Sequence, residues 1–189
     1  MSTHPKTLLS ETEYLAQERN APFKSEYYQG EMFAMGGATR RHNVIGTSLS
    51  AILYSQLRKR PCEVYSNDMR VRVSATGLYA YPDVIVVCKN PRFLDNTFDT
   101  LLNPTVLAEI LSPATEAYDR IQKSEHYRKI ESLAEYLLIA QDRIHVDLYT
   151  RQPDGGWMLK EASRLEDIIE LRSIGCALPL ADLYEKAGL

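Results

Sequence analysis

An α/β or mixed α+β domain, with a central mixed sheet flanked by helices, is the fold this sequence predicts. Three observations point to it. Segments with helical spacing alternate with hairpin signals along the chain, which is the pattern of helices packed on a sheet. Two short runs, YPDVIVVC and TVLAEIL, are almost continuously apolar, the mark of strands buried on both faces. The chain has 189 residues, 44% of them apolar and 25% charged, which is ordinary globular usage and enough for a real core. We expect one domain over residues 11–189, preceded by a tail at 1–10.

The elements follow in order. Ser10 with Glu13 fits a capping box, so a short helix is expected through ETEYLAQER, with Pro22 beyond its end. In EYYQGEMFAM, Tyr27, Tyr28, Met32 and Phe33 flank Gln29-Gly30, a hairpin turn, and Gly36-Gly37 ends the second strand. Val44, Ile45, Leu49, Ile52, Leu53 and Leu57 recur at helical spacing, and Pro61 closes that helix. CEVYSNDMRVRVS reads as two short strands around Asn67-Asp68. The stretch KNPRFLDNTFDTLLNP, between the two apolar runs, reads as a loop. An amphipathic helix is expected over 116–130, then strands EYLLIA and IHVDLYT. GWMLKEA should pair with IHVDLYT across Pro153-Asp154-Gly155-Gly156, and a short helix should run from Ala181 to Gly188.

The net charge is −3, which speaks against a strongly basic nucleic-acid coat protein but leaves room for an enzyme that meets nucleic acid at one patch. Cys62, Cys88 and Cys176 are odd in number and match no zinc spacing; they read as three thiols in a reducing compartment. The N-terminus has no long apolar region and no stretch approaches a membrane span, so no membrane association and a cytoplasmic location are expected.

Glu109 is the residue that demands an explanation. It stands among Val106, Leu107, Ala108, Ile110 and Leu111, and a charged residue in such a run is normally paired or metal-bound. If the two apolar strands pair antiparallel with Val87 opposite Thr105, Asp83 falls opposite Glu109. Two carboxylates so close repel, and a divalent cation between them removes the conflict. Oxygen-only ligands favour a hard ion such as magnesium or manganese. Taken alone, Asp83 also fits a turn residue after Pro82, and Glu109 also fits a buried ion pair with an arginine. Asp119, Lys123 and Tyr127 follow at four-residue intervals on one helical stripe, close enough in sequence to lean back over the strand ends. A solvated Asp119–Lys123 helix pair accounts for that spacing equally.

The combination of YPDVIVV, AEILSPATEAYDRIQKSEHYRKI and AEYLLI resembles the Uma-two family of restriction endonucleases, within the PD-(D/E)XK nuclease superfamily. EYYQGEMFAMGGATRRHNVIGTSLSAIL is similar to that family's opening hairpin and histidine-headed helix. The likeness runs from about residue 11 to residue 160. It implies a restriction-endonuclease-like core, with Asp83 and Glu109 as the paired acids. The superfamily pattern places lysine two residues after the glutamate, where this chain has Leu111; the resemblance implies that Lys123 takes the role from the following helix. Asp83, Glu109 and the carbonyl of Ile110 would then hold Mg²⁺ or Mn²⁺, and Lys123 would polarise the attacking water. Asp119 would position Lys123, and Tyr127 would touch substrate or pack. Either Glu26 or Glu31 could extend the acidic site, Glu26 matching the opening motif better. His42, with Arg40 and Arg41, could meet a phosphate at a helix N-terminus or serve as a polar cap. His4, His126 and His145 show no ligand spacing.

The implied function is metal-dependent hydrolysis of DNA phosphodiester bonds. A homodimer is expected on the general ground that two strands need two active sites. Two other readings stay open on the residues: a non-catalytic protein of the same fold binding nucleic acid or a protein, and a metal phosphodiesterase acting on a small substrate.

Overall fold

The computed structural model describes residues 8–189. A six-stranded mixed sheet forms its centre: β11 (Trp157–Ala162), β10 (Val146–Arg151), β9 (Glu135–Ala140), β8 (Val106–Leu111), β6 (Val84–Cys88) and β3 (Cys62–Ser66), in that spatial order. β6, β8 and β9 are buried on both faces, as their apolar runs require. The pairing of β8 with β9 is parallel and the others in this sheet are antiparallel.

A second sheet packs across one face of the first. It contains β2 (Glu31–Ala34), β1 (Ser25–Tyr28), β5 (Leu78–Ala80), β4 (Arg70–Val73) and the short β7 (Thr100–Leu101). Val71, Val73, Leu78 and Ala80 from this sheet share a core with Ile85, Leu107, Tyr136 and Leu138 from the central one. The β1–β2 turn carries positive φ at both Gln29 and Gly30, the backbone that a two-residue hairpin of matching twist requires. The strands around Asn67-Asp68 do form, but they belong to different sheets: the chain leaves the central sheet after β3 and enters the second at β4. The polar loop before β8 is broken by β7, which runs parallel to β4.

On the opposite face lies α2 (Arg40–Leu57), capped by Thr39. Its Ile45, Leu49, Leu53 and Leu57 pack against Val84, Val86, Ala108 and Ile110. The C-terminal helix α5 (Leu180–Tyr184) and a small hairpin of β12 (Ile168–Leu171) and β13 (Cys176–Pro179) complete this layer; the hairpin is not among the elements expected from local pattern. Helix α1 (Glu11–Glu18) has the expected Ser10–Glu13 capping box and buries Tyr14 against Tyr27 and Tyr79 on the outer side of the second sheet. The expected tail is in part docked: Leu9 N–H donates to Gly30 O at 2.9 Å, while residues 1–7, including His4, lie outside the described residues.

Two expectations need correction. The helix expected over 116–130 is interrupted: α3 (Glu116–Tyr118) runs into a π turn (Asp119–Lys123) and then α4 (Ser124–Tyr127). Nor are all three cysteines thiols. Cys62 and Cys88 face each other in the β3–β6 register and form a disulfide, leaving Cys176 free and buried. Cysteine spacing along the chain could not reveal a pairing that strand register creates. Among the described residues, no helix is long and apolar enough to cross a membrane.

Candidate active site

The register of β6 and β8 is the one inferred from the two apolar runs. Val84 faces Ala108, Ile85 faces Leu107 and Val86 faces Val106, so continuing the ladder sets Asp83 opposite Glu109. Asp83 itself is the bend residue just before β6. Its Oδ2 accepts a hydrogen bond from the backbone N–H of Ile110 at 2.7 Å. A strand N–H points within the sheet plane, so this carboxylate closes the end of the ladder. The same oxygen stands 3.2 Å from His42 Nε2, on the first turn of α2. His42 therefore serves the acid, while Arg40 and Arg41 turn to the carbonyls of Lys186 and Gly188.

Glu109 is 4% exposed, on the face that looks toward the second sheet. Tyr127 O–H donates to its Oε1 at 2.9 Å, and Lys123 Nζ donates to the same oxygen at 3.2 Å. Lys123 also lies 2.8 Å from Glu26 Oε1 and 3.3 Å from Asp119 Oδ1. The partner of Glu109 is thus a lysine, not an arginine, and the i,i+4 pair of Asp119 with Lys123 is buried, not solvated. Glu26 comes from β1, so three layers of the fold converge here. It is the acid that extends the site; Glu31 lies on the neighbouring strand β2, facing Tyr28 across the hairpin. Leu111, at the position of the superfamily's lysine, is buried in the apolar core.

The charges do not balance. Glu26, Glu109 and Asp119 surround one ammonium, and each is less than a tenth exposed. Burial, with Asp119, Asp83 and Glu26 nearby, drives the Glu109 carboxyl well above its usual range despite Lys123. Burial would lower the Lys123 ammonium, but Glu109, Glu26 and Asp119 outweigh it and hold the group well above its ordinary value. Tyr127 is likewise raised, by burial and by Glu109, and stays a hydrogen-bond donor.

A hard divalent cation fits this donor set. The ligands offered are all oxygens, and the surplus of buried negative charge is what such an ion offsets. Both bonds to Glu109 fall on Oε1, so Oε2 carries neither of them.

Sequence reasoning missed several neighbours. The Tyr118 ring lies under Lys123 Nζ, 5.6 Å from its centroid, and its hydroxyl is raised by burial and Glu26. Tyr136 O–H donates to Asp119 O at 3.2 Å. Gln141 bonds Leu111 O through Nε2 and meets Thr39, the cap of α2, through Oε1, tying β8 to the start of that helix. Tyr118 sits one residue before the Asp119 stripe and was findable; Gln141 carried no signal. Beside Asp83 an open cleft of about 590 Å³ runs along α2, lined by His42, Gly46, Ser50, Tyr54 and Ile110.

The comparisons identify the family and the fold. The model of the Uma2 family, described as "Putative restriction endonuclease", matches residues 11–181. Uncharacterized protein sll1609 of Synechocystis sp. is 38% identical over 154 residues, covering 82% of this chain and 87% of that one. Uncharacterized protein slr1290 of the same organism is 36% identical over 180 residues, covering 95% and 93%. A crystal structure from Anabaena variabilis, titled as a putative nuclease belonging to DUF820, superposes with a TM-score of 0.76 at 19% identity, over 97% of this chain and 99% of that one. At that identity the likeness speaks for the fold, which is that of the nuclease core expected from the sequence. The chain belongs to the Uma2 family of putative restriction endonucleases.

Proposed function

We propose that this protein is a metal-dependent endonuclease hydrolysing DNA phosphodiester bonds, with Asp83, Glu109 and Lys123 as its catalytic residues. The observation that carries the reading is the buried surplus of carboxylates around Lys123, next to an acid at the mouth of an open cleft. Asp83, Glu109 and the Ile110 carbonyl would hold Mg²⁺ or Mn²⁺. Such an ion supplies an acidified water and charge stabilisation at the scissile phosphate.

The chain's own groups do the rest. Lys123 orients the attacking water and offsets phosphate charge, the role that Leu111 cannot fill. Asp119 and Glu26 hold the ammonium in place, and Tyr127 fixes the Glu109 carboxylate by its hydrogen bond. His42 orients Asp83. The same reading places the protein in the cytoplasm with its DNA, and as a homodimer if it cuts both strands.

Plasmid and oligonucleotide cleavage with Mg²⁺ or Mn²⁺ tests this, comparing wild type with Asp83→Asn and Lys123→Ala. Lys123→Ala should slow cleavage by about 10²–10⁴-fold, and Asp83→Asn, at the rim and less disruptive to folding, should also abolish metal-dependent turnover. Equal cutting by all three proteins would sink the assignment. Cyclic nucleotides as competitors separate DNA cleavage from a small-substrate phosphodiesterase.

A further inference from the structure

A further group of side chains of metal-ligating type lies along the same face of the central sheet. In the strand register Glu109 faces Leu138, Leu138 faces Asp147, and Asp147 faces Glu161. Two strand spacings of about 4.8 Å put Asp147 roughly 10 Å from Glu109, too far for one ion to serve both. His145, two residues before Asp147, joins Asp147 and Glu161 so that one ligand atom from each lies within 4.8 Å of the others.

We propose that His145, Asp147 and Glu161 form a separate site for a borderline divalent cation, with zinc the best match. The spacing supports this. His145 Nε2 is 2.9 Å from Asp147 Oδ1 and 3.7 Å from Glu161 Oε1. Ligands about 2.0–2.1 Å from zinc in a tetrahedron stand roughly 3.4 Å apart, between the two values. One imidazole and two carboxylates leave a fourth position for water, and an imidazole ligand selects zinc-like ions over magnesium.

The ligands are also pre-positioned. Asp147 and Glu161 sit directly opposite on paired strands. The backbone of His145 is held by Tyr184, whose O–H donates to His145 O at 2.8 Å, and by Ala140 N–H, which donates to the same oxygen at 3.0 Å. Arg120, on the π turn, takes Asp147 Oδ2 and is itself held by Glu116, so Oδ1 remains on the His145 side. That is the outer support a metal-bound carboxylate normally has. The site joins β10 to β11, the edge strand, and through Arg120 to the turn that carries Lys123. It does not depend on the nuclease reading.

Zinc chloride titrated calorimetrically into chelator-treated protein tests it, using wild type, Asp83→Ala, His145→Ala and Glu161→Gln, each first checked for folding by its thermal melt. Asp83→Ala should keep zinc binding at this site. His145→Ala should lose one equivalent, and Glu161→Gln, at an exposed position, should weaken that equivalent by at least the roughly 10–100-fold seen when an outer partner is removed. If His145→Ala does not fold, Glu161→Gln decides. No zinc uptake by wild type, or uptake unchanged in Glu161→Gln, would overturn the proposal.

Discussion

The two faces of the central sheet are built from the same strands and do opposite work. Toward α2 the strands present Val84, Val86, Ala108 and Ile110 to Ile45 and Leu49; the buried Glu135 carboxylate on that side is taken up by Arg172 N–H and Ser173. Toward the second sheet they present Glu109 and Asp147, met by Lys123 and Arg120 from the π turn. Burial of apolar area makes the first face stabilising, at about 1.5–3 kcal/mol per fully buried side chain. The second face has its own apolar core but also holds charges that burial opposes, and these persist only through mutual compensation. Charge of that kind contributes little net stability.

Removing Lys123 should break the second face most severely. Lys123→Met leaves Glu109, Glu26 and Asp119 without their cation and should cost about 3–5 kcal/mol in urea unfolding at neutral pH. Cys62 and Cys88 flank the apolar face, and their bond closes a separation of 26 residues. Cys62→Ser should cost about 3–4 kcal/mol against the oxidised protein, and nothing against the reduced one. Leu49→Ala should cost about 2–5 kcal/mol by opening a cavity, yet leave turnover per folded molecule unchanged. A loss of turnover there would blur the contrast between the faces. Tyr127→Phe should cost about 1.5–3 kcal/mol, because Glu109 loses a donor it cannot replace.

The smallest effect belongs to a charge outside both faces. Asp99 is pulled down to about 2 by Arg19, Thr100 and Arg70, against the opposing and individually largest effect of burial. Its stabilisation is therefore present above the unfolded value near 3.8 and is lost as pH falls toward 2. Asp99 is partly solvated, so Asp99→Asn should cost only about 1 kcal/mol at pH 7. Urea midpoints of the two proteins should converge near pH 2; a constant gap would mean that the bond, not the charge, matters.

What could be read from the chain is what local pattern and one pairing determine. The Ser10 cap, the Gln29-Gly30 turn and the α2 stripe follow from short-range rules. Asp83 opposite Glu109 followed from a single assumed register. Contacts made by the whole topology could not be read. Nothing local says that β3 and β4 part into different sheets, that Cys88 meets Cys62, or that His145 and Glu161 meet across β10 and β11. The π turn escaped because Asp119, Lys123 and Tyr127 keep the spacing of an uninterrupted α-helix. Glu26 was legible as a candidate only through resemblance, since its partner lies 97 residues away.

The central claim is the proposed one: that Asp83 and Glu109, beside Lys123, hold a divalent cation. Calorimetric titration of Mg²⁺ into wild type and Glu109→Gln tests it most directly, since this substitution keeps the side chain's shape while removing its charge. The account predicts measurable Mg²⁺ binding in wild type that Glu109→Gln loses. Identical Mg²⁺ affinity in the two proteins, or none in either, would contradict it.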